Sequence, residues 1–184
     1  MSRWEPVLGE VMRERAPRLL AYAALLTGDS AEAQDVLQDA LVRTFSKGRA
    51  FDNANLAESY VRRAIPSVFI DRLRKRKAAE RAHERDVAIG GRDVPTPDRD
   101  VVMDVRAALA ALPPQERACV VLRFYDDLTV PQISAQLGIA EGTVKRYLSD
   151  ASGKLAQMLG EDVDASTEAT GVPVVTPAVK GARP

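Results

Sequence analysis

The feature that most constrains the fold is a pair of helical patterns joined by one glycine, within residues 128–155. Thr129 and Gln132 have the spacing of a capping box, in which the two side chains satisfy free backbone N–H groups where a helix begins. Gly138 follows that helix, and glycine readily adopts the left-handed conformation of a tight turn. The apolar positions around this turn are Ile133, Leu137, Ile139, Val144 and Leu148. The pattern therefore predicts a helix-turn-helix, two helices held at a steep angle by a small core.

The second helix of this pair has a polar outer face. A helix of this size fits the major groove of DNA. Arginine and lysine can donate to guanine edges or phosphates, and threonine can do either or touch a thymine methyl group. The polar residues of this face are Glu141, Thr143, Lys145, Arg146 and Ser149. The segment is therefore a candidate DNA-recognition helix.

Charge is unevenly distributed along the chain, although 26 basic and 26 acidic residues give a formal net charge of zero. The segment 61–85 contains nine basic residues and only three acidic ones. A local excess of positive charge of this size attracts a polyanion. A solvated helix face remains the alternative interpretation. The basic residues are Arg62, Arg63, Arg72, Arg74, Lys75, Arg76, Lys77, Arg81 and Arg85, and the acidic ones are Asp71, Glu80 and Glu84.

Helical periodicity elsewhere predicts an all-α chain of 184 residues with two small helical domains. Pro66 falls inside a predicted helix and predicts a kink or a break near Ala64. Glycines and prolines without apolar periodicity mark a flexible linker at 87–100, and the acidic, proline-containing tail from 161 to 184 is expected to be disordered. The domains are then 1–86 and 101–160. The predicted helices are 3–26, 31–47, 56–81, 101–112, 115–125, 130–137 and 141–159.

Enzymatic, metal-binding and membrane functions find little support in the residues. The one cysteine, Cys119, lies in an apolar stretch and is expected to be a buried hydrophobe, and the one histidine, His83, has no partner residues for a catalytic role. Glu32, Asp35 and Asp39 share a helix face but lack the histidine or second acidic helix of a metal site. There is no apolar run of about 18 residues and no signal-like N-terminus, so we expect a cytoplasmic protein without metal, cofactor or membrane insertion.

Several segments resemble the sigma-70 family of bacterial RNA polymerase sigma factors. Residues 128–148, LTVPQISAQLGIAEGTVKRYL, resemble the region 4 module, and LPPQERACVVLRFY resembles the helix before it. GDSAEAQDVLQDALVRTF and SYVRRAIPSVFIDRLRKRK resemble region 2. The presence of both modules with only a short linker between them is similar to the domain arrangement of the extracytoplasmic-function (ECF) group.

The resemblance implies a function and partners. Region 4 (101–160) would recognise the −35 element, and region 2 (1–86) would bind polymerase and recognise and melt the −10 element. The implied partners are core RNA polymerase, through its beta-prime clamp and beta flap, promoter DNA and an anti-sigma factor, with no small-molecule substrate. The resemblance assigns clamp binding to Gln34, Asp35, Gln38 and Asp39. It assigns −10 DNA binding to Arg62, Arg63, Asp71, Arg72, Arg74, Lys75, Phe51, Asp52 and Asn53.

The chain also departs from the family pattern. Pro66-Ser67 replaces the usual Arg-Asn, and Tyr147 and Asp150 stand where the family often has arginines. Tyr60 and Phe69 are expected in the core rather than as stacking platforms. The alternative functions are a free-standing helix-turn-helix regulator, or a sigma-like protein in another regulatory role. An enzyme is a third alternative, but the sequence offers no nucleophile–base pair or phosphate-binding glycine loop.

Overall fold

The computed structural model describes residues 4–46, 50–83 and 101–163, and these ranges contain helices and no strand. The all-α prediction is confirmed. The predicted linker, 87–100, and the tail beyond Val163 lie outside the described residues. The helices are α1 (Glu5–Glu10), a π-helical turn (Val11–Arg15), α2 (Ala16–Thr27), α3 (Ser30–Phe45), α4 (Ala54–His83), α5 (Val101–Ala111), α6 (Pro114–Phe124), α7 (Val130–Leu137) and α8 (Glu141–Val163).

The first predicted helix is divided by the π-helical turn. Pro17 follows this turn in the first turn of α2. Because proline has no N–H to donate, the normal hydrogen-bond ladder cannot continue past it. The Ala16 N–H instead donates to the carbonyl of Val11, five residues back, which is the π-helical pattern.

A glycine turn and a capping aspartate connect α2 to α3. Gly28 ends α2 with φ +72°, the left-handed region that favours glycine. The Asp29 side chain then accepts a hydrogen bond of 2.7 Å from the Glu32 backbone N–H and caps α3. This tight connection lets α3 pack along α2.

A kink or a break was predicted near Ala64; helix α4 continues through Pro66, so a break there is wrong. A proline inside a helix costs about 3 kcal/mol. Pro66 is fully buried, and its neighbours Ile65, Val68 and Phe69 are also buried against the rest of the protein. Apolar burial on both sides of the proline holds the two halves of α4 in place and offsets this cost.

The helix-turn-helix is confirmed in detail. Thr129 and Gln132 form the capping box at the start of α7, and the Gln132 Oε1 accepts from the Thr129 N–H at 2.8 Å. Gly138 has φ +62° and ends α7 as predicted. Ile133, Leu137 and Val144 are buried, with Ile139 and Leu148 packed against them. The second helix, α8, extends to Val163, beyond the predicted end at Leu159.

One hydrophobic core joins the two halves of the described chain. Residues of α2 and α4, such as Leu26 and Phe69, belong to the same buried cluster as Leu122 of α6 and Ile133 of α7. Helix α2 packs against α5 and α6, and α4 packs against α7. The modules predicted on either side of the linker therefore pack directly against each other.

Candidate nucleic-acid interface

The outer face of α8 is open to solvent. Glu141, Lys145, Arg146 and Ser149 are exposed, and Thr143 is half-buried. The opposite face of α8 is buried through Val144 and Ala151. The candidate recognition residues therefore project from a helix whose position is set by apolar packing, which is what readout of base edges requires.

Helix α6 supports α8 through two polar contacts that sequence reasoning missed. The Tyr147 hydroxyl donates to Gln115 Oε1 at 2.6 Å. Lys154 Nζ donates to both carboxylate oxygens of the buried Glu116, at 2.7 and 2.8 Å. Tyr147, which departs from the family pattern, thus anchors α8 to α6. No local pattern points to these pairs, because their partners lie 32 and 38 positions apart.

The candidate basic residues of α4 partly form contacts within the protein. They are Arg62, Arg63, Arg72, Arg74 and Lys75. Arg72 donates to Asp39 at 2.5 Å and to Asp35 at 3.0 Å. The hydrogen bond to Asp39 raises the pKa of Arg72, and the charge of Asp35 adds to this effect. One candidate DNA contact is therefore paired with two candidate polymerase contacts.

The other candidate residues of α4 differ in ion pairing and in exposure to solvent. Asp71 accepts from Arg43 at 3.1 Å and from Arg74 at 3.5 Å, so this carboxylate lies between two guanidinium groups. The side chains of Arg63 and Lys75 are exposed. Positive charge that is exposed on one helix suits binding to a phosphate backbone.

Among the basic residues of α4, Arg62 binds a carboxylate of the other module. Its Nε and Nη2 donate to Asp126 Oδ1 at 3.1 and 2.6 Å. Partial burial lowers the pKa of Arg62, but the hydrogen bonds and the charge of Asp126 outweigh it, so the pKa is raised. Sequence reasoning missed Asp126, which lies 64 positions away in the other half of the chain.

The loop before α4 does not present all three candidate residues to solvent. Phe51 is only 5% exposed and packs edge-on against Phe45 at a centroid distance of 5.2 Å. Asp52 and Asn53 are exposed, and Asn53 Oδ1 accepts from the Leu56 N–H at 2.9 Å. A base contact in this loop would therefore involve Asp52 or Asn53, while Phe51 supports them from the core.

An open groove with a volume of about 730 Å³ lies between α3 and α4 near this loop. It is large enough for a nucleobase, and its wall combines guanidinium, hydroxyl and aromatic groups. Sequence reasoning missed several of these residues because α3 and α4 contribute them together. The lining residues are Arg43, Thr44, Ser46, Tyr60, Arg63, Ala64 and Ser67.

Two aromatic predictions had different outcomes. Phe69 is 1% exposed and lies in the core, as expected. Tyr60 is 42% exposed, so the expectation of a core position is wrong for this residue. It packs against Phe51 at a centroid distance of 5.3 Å and leaves one side towards solvent and the groove between α3 and α4.

The candidate polymerase-binding residues lie together on α3. Gln34, Asp35, Gln38 and Asp39 are all exposed. An apolar groove runs beside Gln38, and its residues Met12 and Val42 are 47% and 59% exposed. An acidic and amide face next to exposed apolar surface has the composition of a protein-binding surface.

Residues 4–46, 50–83 and 101–163 contain no group of three or more histidine, cysteine, aspartate or glutamate residues arranged for a metal ion. Over the same ranges, none of the helices combines the length and apolar character that a membrane crossing needs.

Comparison with known proteins identifies the class that this fold and these surfaces define. The model of the family described as "Sigma-70 region 2" matches residues 11–79, and that described as "Sigma-70, region 4" matches residues 103–155. An RNA polymerase sigma-E factor from Streptomyces avermitilis is 35% identical over 159 residues, covering 85% of this chain and 87% of that protein. The chain therefore belongs to the sigma-70 family.

Further relatives place it more narrowly. The ECF RNA polymerase sigma factor SigM from Mycobacterium tuberculosis is 31% identical over 155 residues, covering 82% of this chain and 76% of that protein. The sigma factor RpoE of Bartonella quintana, solved with the anti-sigma factor NepR, has a TM-score of 0.54 at 23% identity, covering 79% of this chain and 92% of that one, and so shares the fold. Within the sigma-70 family, the protein is of the ECF type.

Proposed function

We propose that this protein joins core RNA polymerase and directs promoter-specific transcription initiation by recognising −10 and −35 elements. The observation that carries the proposal is the exposed polar face of α8 on a rigid helix-turn-helix, in a chain whose other module contains a helix rich in basic residues. Membership of the sigma-70 family supports the same function. The proposed role is a binding role without catalysis, because sigma factors are initiation factors rather than enzymes.

Three surfaces of the protein would each contact a different partner. Region 4, residues 101–160, would place α8 in the major groove of the −35 element. Region 2, residues 1–86, would hold the separated strand of the −10 element, where positive charge binds phosphates and pockets hold unstacked bases. The acidic and amide face of α3 would meet a basic polymerase clamp. Only Phe51, among the assigned −10 residues, would act through packing rather than contact.

The proposed partners follow from these surfaces and from the relatives. They are the beta-prime clamp and the beta flap of core polymerase, promoter DNA and an anti-sigma factor. The Bartonella quintana neighbour is a sigma factor in complex with an anti-sigma factor, which supports the last of these. We also propose that the protein acts in the cytoplasm, where the polymerase and the chromosome lie.

Transcription in vitro tests the proposal directly. Core polymerase is supplied with a genomic fragment library, with and without the full chain, and the transcript starts are mapped. We expect starts at particular sites that depend on the chain. Failure to associate with core enzyme, or starts unchanged by the chain, would overturn the proposal. Stable DNA binding without polymerase association would favour a free-standing regulator.

The polymerase contact can be tested separately. Asp35→Ala combined with Gln38→Ala removes one carboxylate and one amide from the α3 face and should weaken binding to immobilised core polymerase about tenfold or more, because buried polar contacts at an interface are lost. Asp150→Ala combined with Gln157→Ala removes the same groups from exposed positions of α8. This control should bind core polymerase like the wild type. Equal loss in both variants would contradict the assignment.

A further inference from the structure

Arg146 projects from the middle of the outer face of α8. Val144 and Ala151 are buried, and they define the side of α8 that faces the rest of the protein. With 3.6 residues per turn, Arg146 lies about 200° round the helix from Val144, nearly opposite this buried side. Lys145 lies only about 100° from Val144, on the flank of the helix. When the outer face enters a major groove, a central residue meets base edges and a flanking residue meets phosphates.

The Arg146 guanidinium lies over the ring of the next residue, Tyr147. The Arg146 Cζ is 5.4 Å from the centroid of that ring, which is a cation–π distance. Side chains adjacent in sequence on a helix normally point apart, so this contact is not a general consequence of helix geometry. Because the ring attracts the guanidinium, the contact restricts the conformations of a side chain that is otherwise exposed to solvent.

Tyr147 is itself held by the helix beneath it. Its hydroxyl donates to Gln115 Oε1 in the first turn of α6 at 2.6 Å, and its ring packs against the hydrophobic core. The ion pair between Lys154 and Glu116 joins the same two helices one turn further on. The ring is therefore part of the rigid frame of the module, whereas Arg146 is part of its surface.

A restrained guanidinium is suited to reading guanine. Arginine recognises guanine through two hydrogen bonds to O6 and N7, and guanine alone presents both acceptors at the major-groove edge. An exposed arginine loses rotamer freedom when it makes such a contact. Restriction of the side chain before binding lowers this cost, which is the general benefit of preorganisation.

Asp150 favours a base contact over a phosphate contact for Arg146. It lies four residues after Arg146, on the same side of α8, and its carboxylate is exposed. A negative charge at this position repels the phosphate backbone. The guanidinium of Arg146 therefore meets less competition from base edges than from phosphates.

We propose that Tyr147 is a positioning residue: anchored by Gln115, its ring holds Arg146 in place to read one guanine of the −35 element. Tyr147 acts through Arg146 and makes no contact with that guanine. This inference rests on the proposed function, since it concerns the sequence that the same recognition helix reads.

A promoter library tests the proposal with the full chain and core polymerase. The template is a genomic fragment that the wild-type chain transcribes, with its −35 element randomised, and transcripts are counted by sequencing a barcode. We expect the wild type to favour guanine at one position about tenfold. Arg146→Ala should lose this preference and keep those at other positions. A uniform loss over all sequences would mean that Arg146 contacts a phosphate, and would overturn the proposal.

Two variants of Tyr147 separate the ring from the hydroxyl. Tyr147→Leu keeps an apolar side chain but removes the ring, and should reduce the guanine preference about threefold, the size of an exposed cation–π contact. Tyr147→Phe keeps the ring and should retain nearly the whole preference. Equal losses in both variants would show that the ring is not the cause.

A double variant distinguishes positioning from a merely structural role. In the Arg146→Ala background, Tyr147→Leu should change no base preference further, because the residue through which it acts is gone. Further loss of preference in the double variant, at this or any other position, would mean that Tyr147 places α8 as a whole. That result contradicts the proposal.

Lys154→Gln is the matched control on α8. It weakens the other polar tie between α8 and α6, far from Arg146, while keeping a hydrogen-bond donor. This variant should leave the guanine preference at the wild-type value. A loss as large as that of Tyr147→Leu would show that any loosening of α8 relaxes the readout, and the specific role of Tyr147 would be rejected.

The same assay separates this inference from the proposed function. If the wild-type chain directs initiation with a guanine preference that Tyr147→Leu leaves intact, the positioning role alone is rejected. If the wild-type chain directs initiation on no template, the proposed function itself fails.

Discussion

At the scale of single residues, Cys119 shows how burial lowers the reactivity of a side chain. Its side chain is fully buried in α6, as predicted from its apolar neighbours. Burial raises the pKa of the Cys119 thiol to about 12, and the nearby charge of Glu116 adds to the effect. Since the thiolate is the reactive form, this cysteine is chemically silent near neutral pH.

We predict that an aromatic disulfide reagent does not label native Cys119 in mildly alkaline buffer. In guanidinium chloride, the unfolded chain should react with one thiol per molecule, because the pKa then returns to about 8.5. The variant Ser152→Cys places a thiol at an exposed position of α8 and should react at once in the native state. Absorbance of the released chromophore measures both rates. Fast native labelling without Ser152→Cys would contradict the burial of Cys119.

At the scale of elements, α8 separates the residues that hold it from those available for recognition. Val144 and Ala151 bury one face, and Tyr147 and Lys154 anchor the helix to α6. Lys145 and Arg146 project into solvent on the other side. Substitutions on this outer face should therefore change DNA binding without changing stability, since exposed charge changes have small effects on folding.

We predict that Lys145→Ala combined with Arg146→Ala weakens duplex binding at the −35 element. Each lost base or phosphate contact costs about 1–3 kcal/mol, so the affinity should fall at least about tenfold. Loss of the Lys145 phosphate contact would make the slope of log K against log salt shallower by about 0.9. Fluorescence anisotropy with a promoter fragment measures both quantities.

The control for this experiment removes equal charge far from α8. Arg13→Ala combined with Arg18→Ala changes two exposed arginines of the N-terminal helices. This variant should keep wild-type duplex affinity, and circular dichroism should show unchanged melting for the α8 variant. A similar affinity loss in both would indicate an effect of net charge rather than of the recognition helix.

At the scale of the whole molecule, the shared core couples the two modules. Leu26 and Phe69 of the N-terminal half and Leu122 and Ile133 of the C-terminal half belong to one buried cluster. Arg62 and Asp126 add a part-buried ion pair at the same interface. Because each module buries apolar surface of the other, the described helices form one folding unit.

We predict that the free chain unfolds in a single cooperative transition. Scanning calorimetry should give equal calorimetric and van't Hoff enthalpies, the test of two-state behaviour. Asp126→Asn should lower Tm by about 3–12 °C, because weakening hydrogen bonds to a charged group costs about 1.5–3 kcal/mol. Asp127→Asn should leave Tm within about 2 °C, since it changes only an exposed charge. Two separate transitions in the wild type would contradict a shared core.

Features that depend only on neighbours in the chain could be predicted from the amino-acid sequence. The capping box at Thr129, the left-handed turns at Gly28 and Gly138, and the apolar faces of α7 and α8 all follow from spacings of a few residues. The same local patterns carried the resemblance to the sigma-70 family. A helix break at Pro66 is wrong, because local propensity favours a break whereas burial around the proline keeps α4 continuous.

Which charged side chains form pairs could not be predicted from the sequence, because it depends on the packing of distant segments. Arg62 could pair with any carboxylate in the sequence, and it pairs with Asp126, 64 positions away, beside Tyr22. Arg72 pairs with Asp35 and Asp39, across from α4 to α3. Coulomb attraction does not depend on sequence spacing, so the partners are chosen by packing, which brings distant segments within a few ångströms. The packing of the two modules against each other is for that reason visible in the fold and absent from the sequence pattern.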